Sequence, residues 1–405
     1  MPPTAPIANR PADAVEGLLV VTIDRLPAWM LSAYGATWVA TPELDRLASR
    51  GIVFDRVISP VIDPRATLDA VWGMQRGTTA AGVGGEAGLM AAARGRGWKL
   101  SLVTDDADVA AWIGSTASDV DVRLIPVPGA AADVAAEAAD TALGRLLAAA
   151  EAAIVAGGRQ LVCVHATSLG RTWDAPSAYR ERYVDPEDPP PPPGAGVPSF
   201  AVDAGTDPDR VMAARQVFAG QLSLLDVHLG AVCAAAPGFG HAIVGVRGLP
   251  LGLHGWVGPG GRDVPYGESV HIPAILVDAA GRMAGQRYSG LAVPADIGAT
   301  LIDLVAGAER GPTAAGLADL QGPAARGRSL AGLFTDWSAV AREEIVVRGD
   351  AADAVVTAAW HCVREQDADD GPRLRLFAKP DDYFELSDVA DRCGAVAADL
   401  GRRLG

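Results

Sequence analysis

Short apolar runs alternate with helix-like segments along most of this chain, and that alternation limits the architectures open to it. Gly17-Leu-Leu-Val-Val-Thr-Ile-Asp24 has the composition of a strand buried on both faces, and it ends on an acid. Comparable runs lie at Lys99–Thr104, Gln160–His165, His241–Val246 and Ile272–Asp278. Helical patterns separate them, at Pro42–Ser49, Glu86–Ala93, Ala131–Val155, Asp207–Ala234 and Ala295–Ala306. This order predicts an α/β domain with a largely parallel central sheet covered on both faces. Ligands of such domains bind at the carboxyl ends of the strands.

After about Leu333 the pattern changes. Glu344–Arg348, Ala354–Val363 and Arg373–Phe377 are strand-like with short turns, and Val389–Leu404 is helical. The expected organisation is a main domain over 1–333 and a small antiparallel α+β subdomain over 334–405. The Pro189–Pro193 run reads as a stiff surface loop between two helical stretches, and the Gly-rich Gly248–Gly261 as a flexible loop near the strand ends.

The 405 residues carry a formal net charge of -15. An average surface of that sign repels phosphate backbones and anionic headgroups, so neither nucleic acid nor a membrane is an expected partner, although a local basic pocket stays open. Met1–Gly17 lacks a basic segment followed by an apolar one, and no apolar run long enough for a bilayer is evident, so the expected location is cytoplasmic. Cys163, Cys233, Cys362 and Cys393 show no ligand-like spacing and read as reduced thiols.

Val20-Val-Thr-Ile-Asp24 is followed by Tyr34-Gly35, by Thr41-Pro-Glu-Leu-Asp-Arg-Leu-Ala48, and by Gly51 and Phe54. This resembles the opening of a sulfatase domain. Further segments resemble that family in its own order: Trp173-Asp-Ala-Pro176, the stretch Gln221–Gly230, Leu251-Gly-Leu-His-Gly255, Tyr266-Gly-Glu-Ser-Val270, Gly327-Arg-Ser-Leu330 and Phe384-Glu-Leu-Ser-Asp388. The resemblance covers nearly the whole chain. It implies an alkaline phosphatase-like three-layer sandwich with a mostly parallel central sheet and a small C-terminal antiparallel subdomain.

The family's chemistry needs a formylglycine made from Cys or Ser beside a divalent cation such as calcium, which neutralises the anionic ester. The resemblance places the cation ligands at Asp24, Arg25, Val246 and Arg247, where three acids are usual. These four carry one net positive charge, so the positions are not competent for a cation, and no cofactor is expected. Arg65 matches the Arg of the nucleophile motif, which puts Val61 at the nucleophile, and an alkyl group can neither become an aldehyde hydrate nor attack sulfur. Shifting the register to Ser59 loses the rest of the motif. The family's Gly-Lys-Trp lysine is missing from Lys99–Asp106, and Gly170 stands where its mid-domain His belongs.

Each remaining polar residue has two readings. Asp24 is a vestigial ligand or a salt-bridged carboxylate; Arg25, Arg65 and Arg247 line an anion pocket or pair internally with Asp24 and Asp63. His254 is a vestigial catalytic position or a hydrogen-bonded loop residue. Asp105-Asp106 is an acid–base pair or a helix cap. Tyr179, Arg180 and Arg182 read as a solvated helix face. The expected function is that of a catalytically inactive sulfatase-like protein that binds a small anion or a protein partner through the old cleft. The alternatives are an active sulfuric ester or phosphoester hydrolase, and a scaffold subunit.

Overall fold

The structure, a computed structural model, describes residues 16–73, 88–127, 133–154, 158–261, 264–307, 327–335, 337, 339, 341–367 and 371–405. Its strands are β1 Gly17–Asp24, β2 Ile52–Ile58, β3 Lys99–Thr104, β4 Asp121–Leu124, β5 Gln160–Ala166, β6 Phe200–Ala201 and β7 Phe239–Arg247. They continue with β8 Trp256–Val257, β9 His271–Val277, β10 Gln286–Ala292, β11 Glu344–Arg348, β12 Ala352–Thr357, β13 Trp360–Asp367 and β14 Gly371–Ala378. The helices are α1 Pro42–Arg50, α2 Pro64–Trp72, α3 Leu89–Gly95, α4 Ala107–Thr116 and α5 Ala142–Ala153. After them come α6 Ser177–Arg180, α7 Pro208–Ala234, α8 Gly267–Val270, α9 Pro294–Ala306 and α10 Gly394–Arg402.

The central sheet has the order β10-β2-β9-β7-β1-β5-β3-β4. Seven strands run one way and β9 runs against them, antiparallel to both β7 and β2. β1 sits in the middle and is buried throughout. Because successive side chains of a strand face opposite sides, Leu19, Val21 and Ile23 pack with α1, α5 and α7. Leu18 and Val20 pack with α2, α3, α4 and α9 on the other face. The expected three layers and mostly parallel sheet are thus present. α7 is long and apolar enough to cross a membrane by length and composition, but 78% of its apolar stretch is buried inside the protein. Its apolarity all round follows from that burial.

The second sheet, β11-β12-β13-β14, is antiparallel. Ala354 and Val356 of β12 turn toward the main domain, where they meet Ile58, Ile62, Val270 and Leu291. Val355, between them, turns the other way onto Leu400 and Leu404 at the C-terminal helix. The single run expected over Ala354–Val363 is therefore two strands with a turn between them. The boundary expected at 333/334 falls within one short turn, Ala331–Phe334, whose Leu333 and Phe334 belong to the main core.

His241 shows what this burial does to titration. It is 1% exposed on β7, its Nε2 meets the Ala236 carbonyl oxygen at 3.1 Å, and its Nδ1 has no partner. Burial pushes its pKa down to about 4. The folded state keeps it neutral while the unfolded chain takes up a proton below about 6.5. Its contribution is therefore complete above that pH and is lost as pH falls from about 6.5 towards 4, by about 3 kcal/mol. Urea unfolding of the wild type and of His241→Leu between pH 7 and pH 4.5 checks this: the variant should show the shallower dependence.

Candidate functional site

Three groups of polar residues gather along the carboxyl edge of the central sheet. The first is at the tips of β1 and β7. The pairing of these strands shifts register between Ile23 and Asp24, which brings Asp24 opposite Arg247. Arg247 Nε donates to Asp24 Oδ1 at 2.8 Å and Nη2 to Oδ2 at 3.1 Å. This two-pronged fork occupies both carboxylate oxygens. The chain leaves β1 through Arg25 in the left-handed region, at φ 62°, which is uncommon for a residue other than glycine. The Arg25 stem then runs across Gly170, where an added Cβ would stand 3.0 Å from Arg25 Cγ. A side chain at 170, such as the histidine of the sulfatase pattern, would compete with Arg25 for that space. Val246 is fully buried in the apolar core.

These residues do not fit the divalent cation that the fold's chemistry employs. Asp24 is the one acid among them and both its oxygens already accept from Arg247, Val246 has no donor atom, and Arg247 brings a positive charge to the spot. Among the described residues no group of three or more His, Cys, Asp or Glu side chains is placed to hold a metal ion.

The second group precedes α2. Val61 is half-buried, and its backbone bridges to Arg348 of β11, whose N–H donates to the Pro60 carbonyl at 2.9 Å. Ser59, the other candidate nucleophile, is fully buried; its Oγ donates to the Val61 carbonyl at 2.6 Å and lies 3.0 Å from Thr67 Oγ1. It ties the turn together. Asp63 caps α2 by accepting from the Arg65 backbone N–H at 2.8 Å. The Arg65 guanidinium lies over the Trp112 ring, 3.1 Å from its centroid, and its Nε is 3.3 Å from Asp69 Oδ1. Arg65 and Arg247 are thus both engaged within the chain. Of the expected internal partners, Asp24 takes Arg247, while Asp69 and Trp112, rather than the Asp63 side chain, take the Arg65 guanidinium.

Just past the end of β3, the Asp105-Asp106 pair divides its work. Asp105 is buried and accepts from Thr167 N, Thr167 Oγ1 and Ser168 N at 2.7, 2.8 and 3.0 Å. Burial raises its pKa against those hydrogen bonds, and burial lowers that of neighbouring His165, whose Nδ1 is 3.2 Å from Thr22 Oγ1. Asp106 caps α4 through Asp108 N and Val109 N. Arg180, expected on a solvated face, is instead buried and donates to the carbonyls of Trp173 and Pro192, both at 2.6 Å. The reason is local: it pins the polyproline loop onto the Trp173 turn, supplying donors to carbonyls that proline-rich backbone cannot satisfy itself.

The third group joins the two sheets. His254 stacks on Tyr266, with ring centroids 3.8 Å apart. Its Nδ1 meets Glu268 Oε1 at 2.9 Å and its Nε2 meets the Glu385 carbonyl oxygen at 3.2 Å. With acceptors on both nitrogens the imidazolium suits the site. Burial works against that charge, yet the Glu268 hydrogen bond and carboxylate raise the pKa overall. Glu385 Oε1 in turn receives His361 Nδ1 at 2.5 Å and Lys379 Nζ at 2.9 Å, and its Oε2 receives Gly267 N at 2.6 Å. Sequence reading placed His254 near the site but missed Glu268, His361, Lys379 and Glu385 as a cluster. The signal within reach was the Phe384–Asp388 segment, which marks a family-like position without showing what it touches.

No family model matches the chain, and no curated protein matches it. Solved structures do. Phosphonate monoester hydrolase of Agrobacterium radiobacter superposes with a TM-score of 0.68 at 17% identity, covering 96% of this chain and 94% of that one. The phosphonate monoester hydrolase SpPMH from Silicibacter pomeroyi gives 0.65 at 16% identity, covering 96% and 93%. A 2-O GAG sulfatase gives 0.65 at 15% identity, covering 96% and 90%. The chain therefore has the alkaline phosphatase-like fold that sulfatases and phosphonate monoester hydrolases share, with its C-terminal subdomain. At these identities the likeness concerns the fold alone, and activity has to be argued from the site.

Proposed function

We propose that this chain is a non-hydrolytic protein of the alkaline phosphatase-like fold, which works by binding and not by cleaving sulfate, phosphate or phosphonate esters. The observation that carries this reading is the Asp24–Arg247 fork, at 2.8 and 3.1 Å, formed by residues that the sequence resemblance aligns with the cation ligands of sulfatases. A guanidinium there supplies positive charge, but it neither ionises a nucleophile nor exchanges ligands as a metal does. The nucleophile position supports the same reading, since Val61 has no reactive atom and the Ser59 hydroxyl is committed to a carbonyl.

The test is turnover of 4-nitrophenyl sulfate, 4-nitrophenyl phosphate and a phenylphosphonate monoester by purified protein, run with added calcium, magnesium and manganese. No release above the rate of a Val61→Gly variant is expected, together with an unfolding midpoint that neither calcium nor EDTA moves. Metal-dependent turnover lost in Asp24→Ala would overturn the reading and restore the hydrolase alternative.

A further inference from the structure

Between the main domain and the four-stranded sheet, beside the end of β2 and the start of β9, lies a cavity of about 70 Å³. Trp29, Ile58, Leu253, Val356, Pro380 and Phe384 supply its apolar walls. Trp29 and Phe384 meet edge to face, and Phe384 is 42% exposed, which puts one end of the cavity at the surface. Water gains little against such walls, because it needs two or more polar partners to be held. Apolar atoms of a ligand gain by leaving water for the same space. A cavity of about 150 Å³ holds a benzene ring, so this one suits an alkyl group of about three or four carbons.

The charged groups on the walls divide into those with a counter-charge and one without. Glu268 faces His254, and Glu385 faces His361 and Lys379. Burial pushes His271 down to about 4, so it is neutral at pH 7. Arg56 has no carboxylate partner among the described residues, since its neighbour Asp55 pairs with Arg287. Carbonyls hold its guanidinium instead: Ser289 accepts from Nε at 2.9 Å and from Nη2 at 2.7 Å, and Ala358 accepts from Nη1 at 2.9 Å. These neutral acceptors fix the group without cancelling its charge, and each terminal nitrogen keeps one N–H that no described acceptor takes. The Ala358 bond ties Nη1 to the turn beside Thr357, which lines the cavity with Val356. A guanidinium already held in place loses little entropy on taking a carboxylate, and its planar fork suits one.

We propose that this cavity binds a short aliphatic carboxylate, with the alkyl group among the apolar walls and the head on Arg56. The site is independent of the reading above, since none of its residues belongs to the Asp24–Arg247 centre. The test is saturation-transfer NMR on the full chain with isobutyrate, set against isobutanol, the same body without the charge, and acetate, the charge without that body. Isobutyrate should give saturable transfer and bind more tightly than either. Arg56→Gln should weaken isobutyrate by about tenfold and leave isobutanol unchanged. Leu253→Trp, which fills the cavity from a half-buried position, should abolish transfer to isobutyrate. Near-UV circular dichroism establishes that each variant folds, and either one suffices. Transfer to isobutyrate that does not saturate, equal isobutyrate affinity in a folded variant, or isobutanol or acetate binding as tightly as isobutyrate overturns the proposal.

Discussion

Glu385→Ala should destabilise the protein by about 3–5 kcal/mol in urea unfolding at pH 7, the range expected when one partner of a buried charge cluster is removed. Glu385 is 3% exposed and holds three donors from both sides of the domain–subdomain contact. Without it, Lys379 keeps a charge facing the interior, and His361 and Gly267 lose their acceptor. The pH dependence separates this account from a packing defect. Burial opposes the Glu385 charge but is outweighed by His361, Lys379 and the Gly267 N–H, which hold its carboxyl well below the usual range. A carboxylate depressed in this way stabilises the fold fully above the unfolded pKa, near 4.3, and the contribution is lost as pH falls from there towards the folded value. The gap between wild type and Glu385→Ala should therefore narrow below about pH 4. A gap of constant size across that range would mean that the side chain acts through packing alone.

Arg247→Ala should cost about 2–4 kcal/mol, because it leaves Asp24 in a largely buried place without its counter-charge. The Asp24 side chain is 8% exposed and that of Arg247 19%, so solvent screens the pair only in part. Asp24→Ala should be costly for the mirror reason. The double variant should cost clearly less than the two single costs added together, with a coupling of about 1–3 kcal/mol from a double-mutant cycle. Calcium should not rescue Arg247→Ala, since one freed carboxylate beside Arg25 is a poor site for a cation that takes six or more oxygens. Additive costs would show that the fork contributes nothing beyond its two residues, and would remove the main support for a centre rebuilt around an ion pair.

The strands of the middle of the sheet were legible because burial on both faces leaves little but apolar residues: β1, β3, β5 and β7 all show as runs. β2 and β10 escaped notice for the converse reason. Asp55 and Arg56 interrupt β2, and β10, Gln-Arg-Tyr-Ser-Gly-Leu-Ala, lies at the sheet's edge with exposed residues in it. β9 was legible as a strand but not in its direction. His-Ile-Pro-Ala-Ile-Leu-Val reads the same to the core whichever way it runs, and only its neighbours β7 and β2 decide. Arg180 was misread because a four-residue helix has too few positions to show which face is covered.

At the site, composition by itself determined which groups are absent. Val61 has no nucleophilic atom and Val246 no ligand atom in any fold, and the positive balance over Asp24, Arg25, Val246 and Arg247 follows from residue identity alone. What those residues do instead was decided by tertiary structure. The Asp24–Arg247 fork joins residues 223 positions apart and depends on a register shift between two strands. The Glu385 cluster likewise draws its donors from α8, from β13 and from the segment that follows β14. Side-chain chemistry is a property of each residue and can be read along the chain, whereas pairing and unmet hydrogen bonds are properties of distances between segments, and those exist only after the chain has folded.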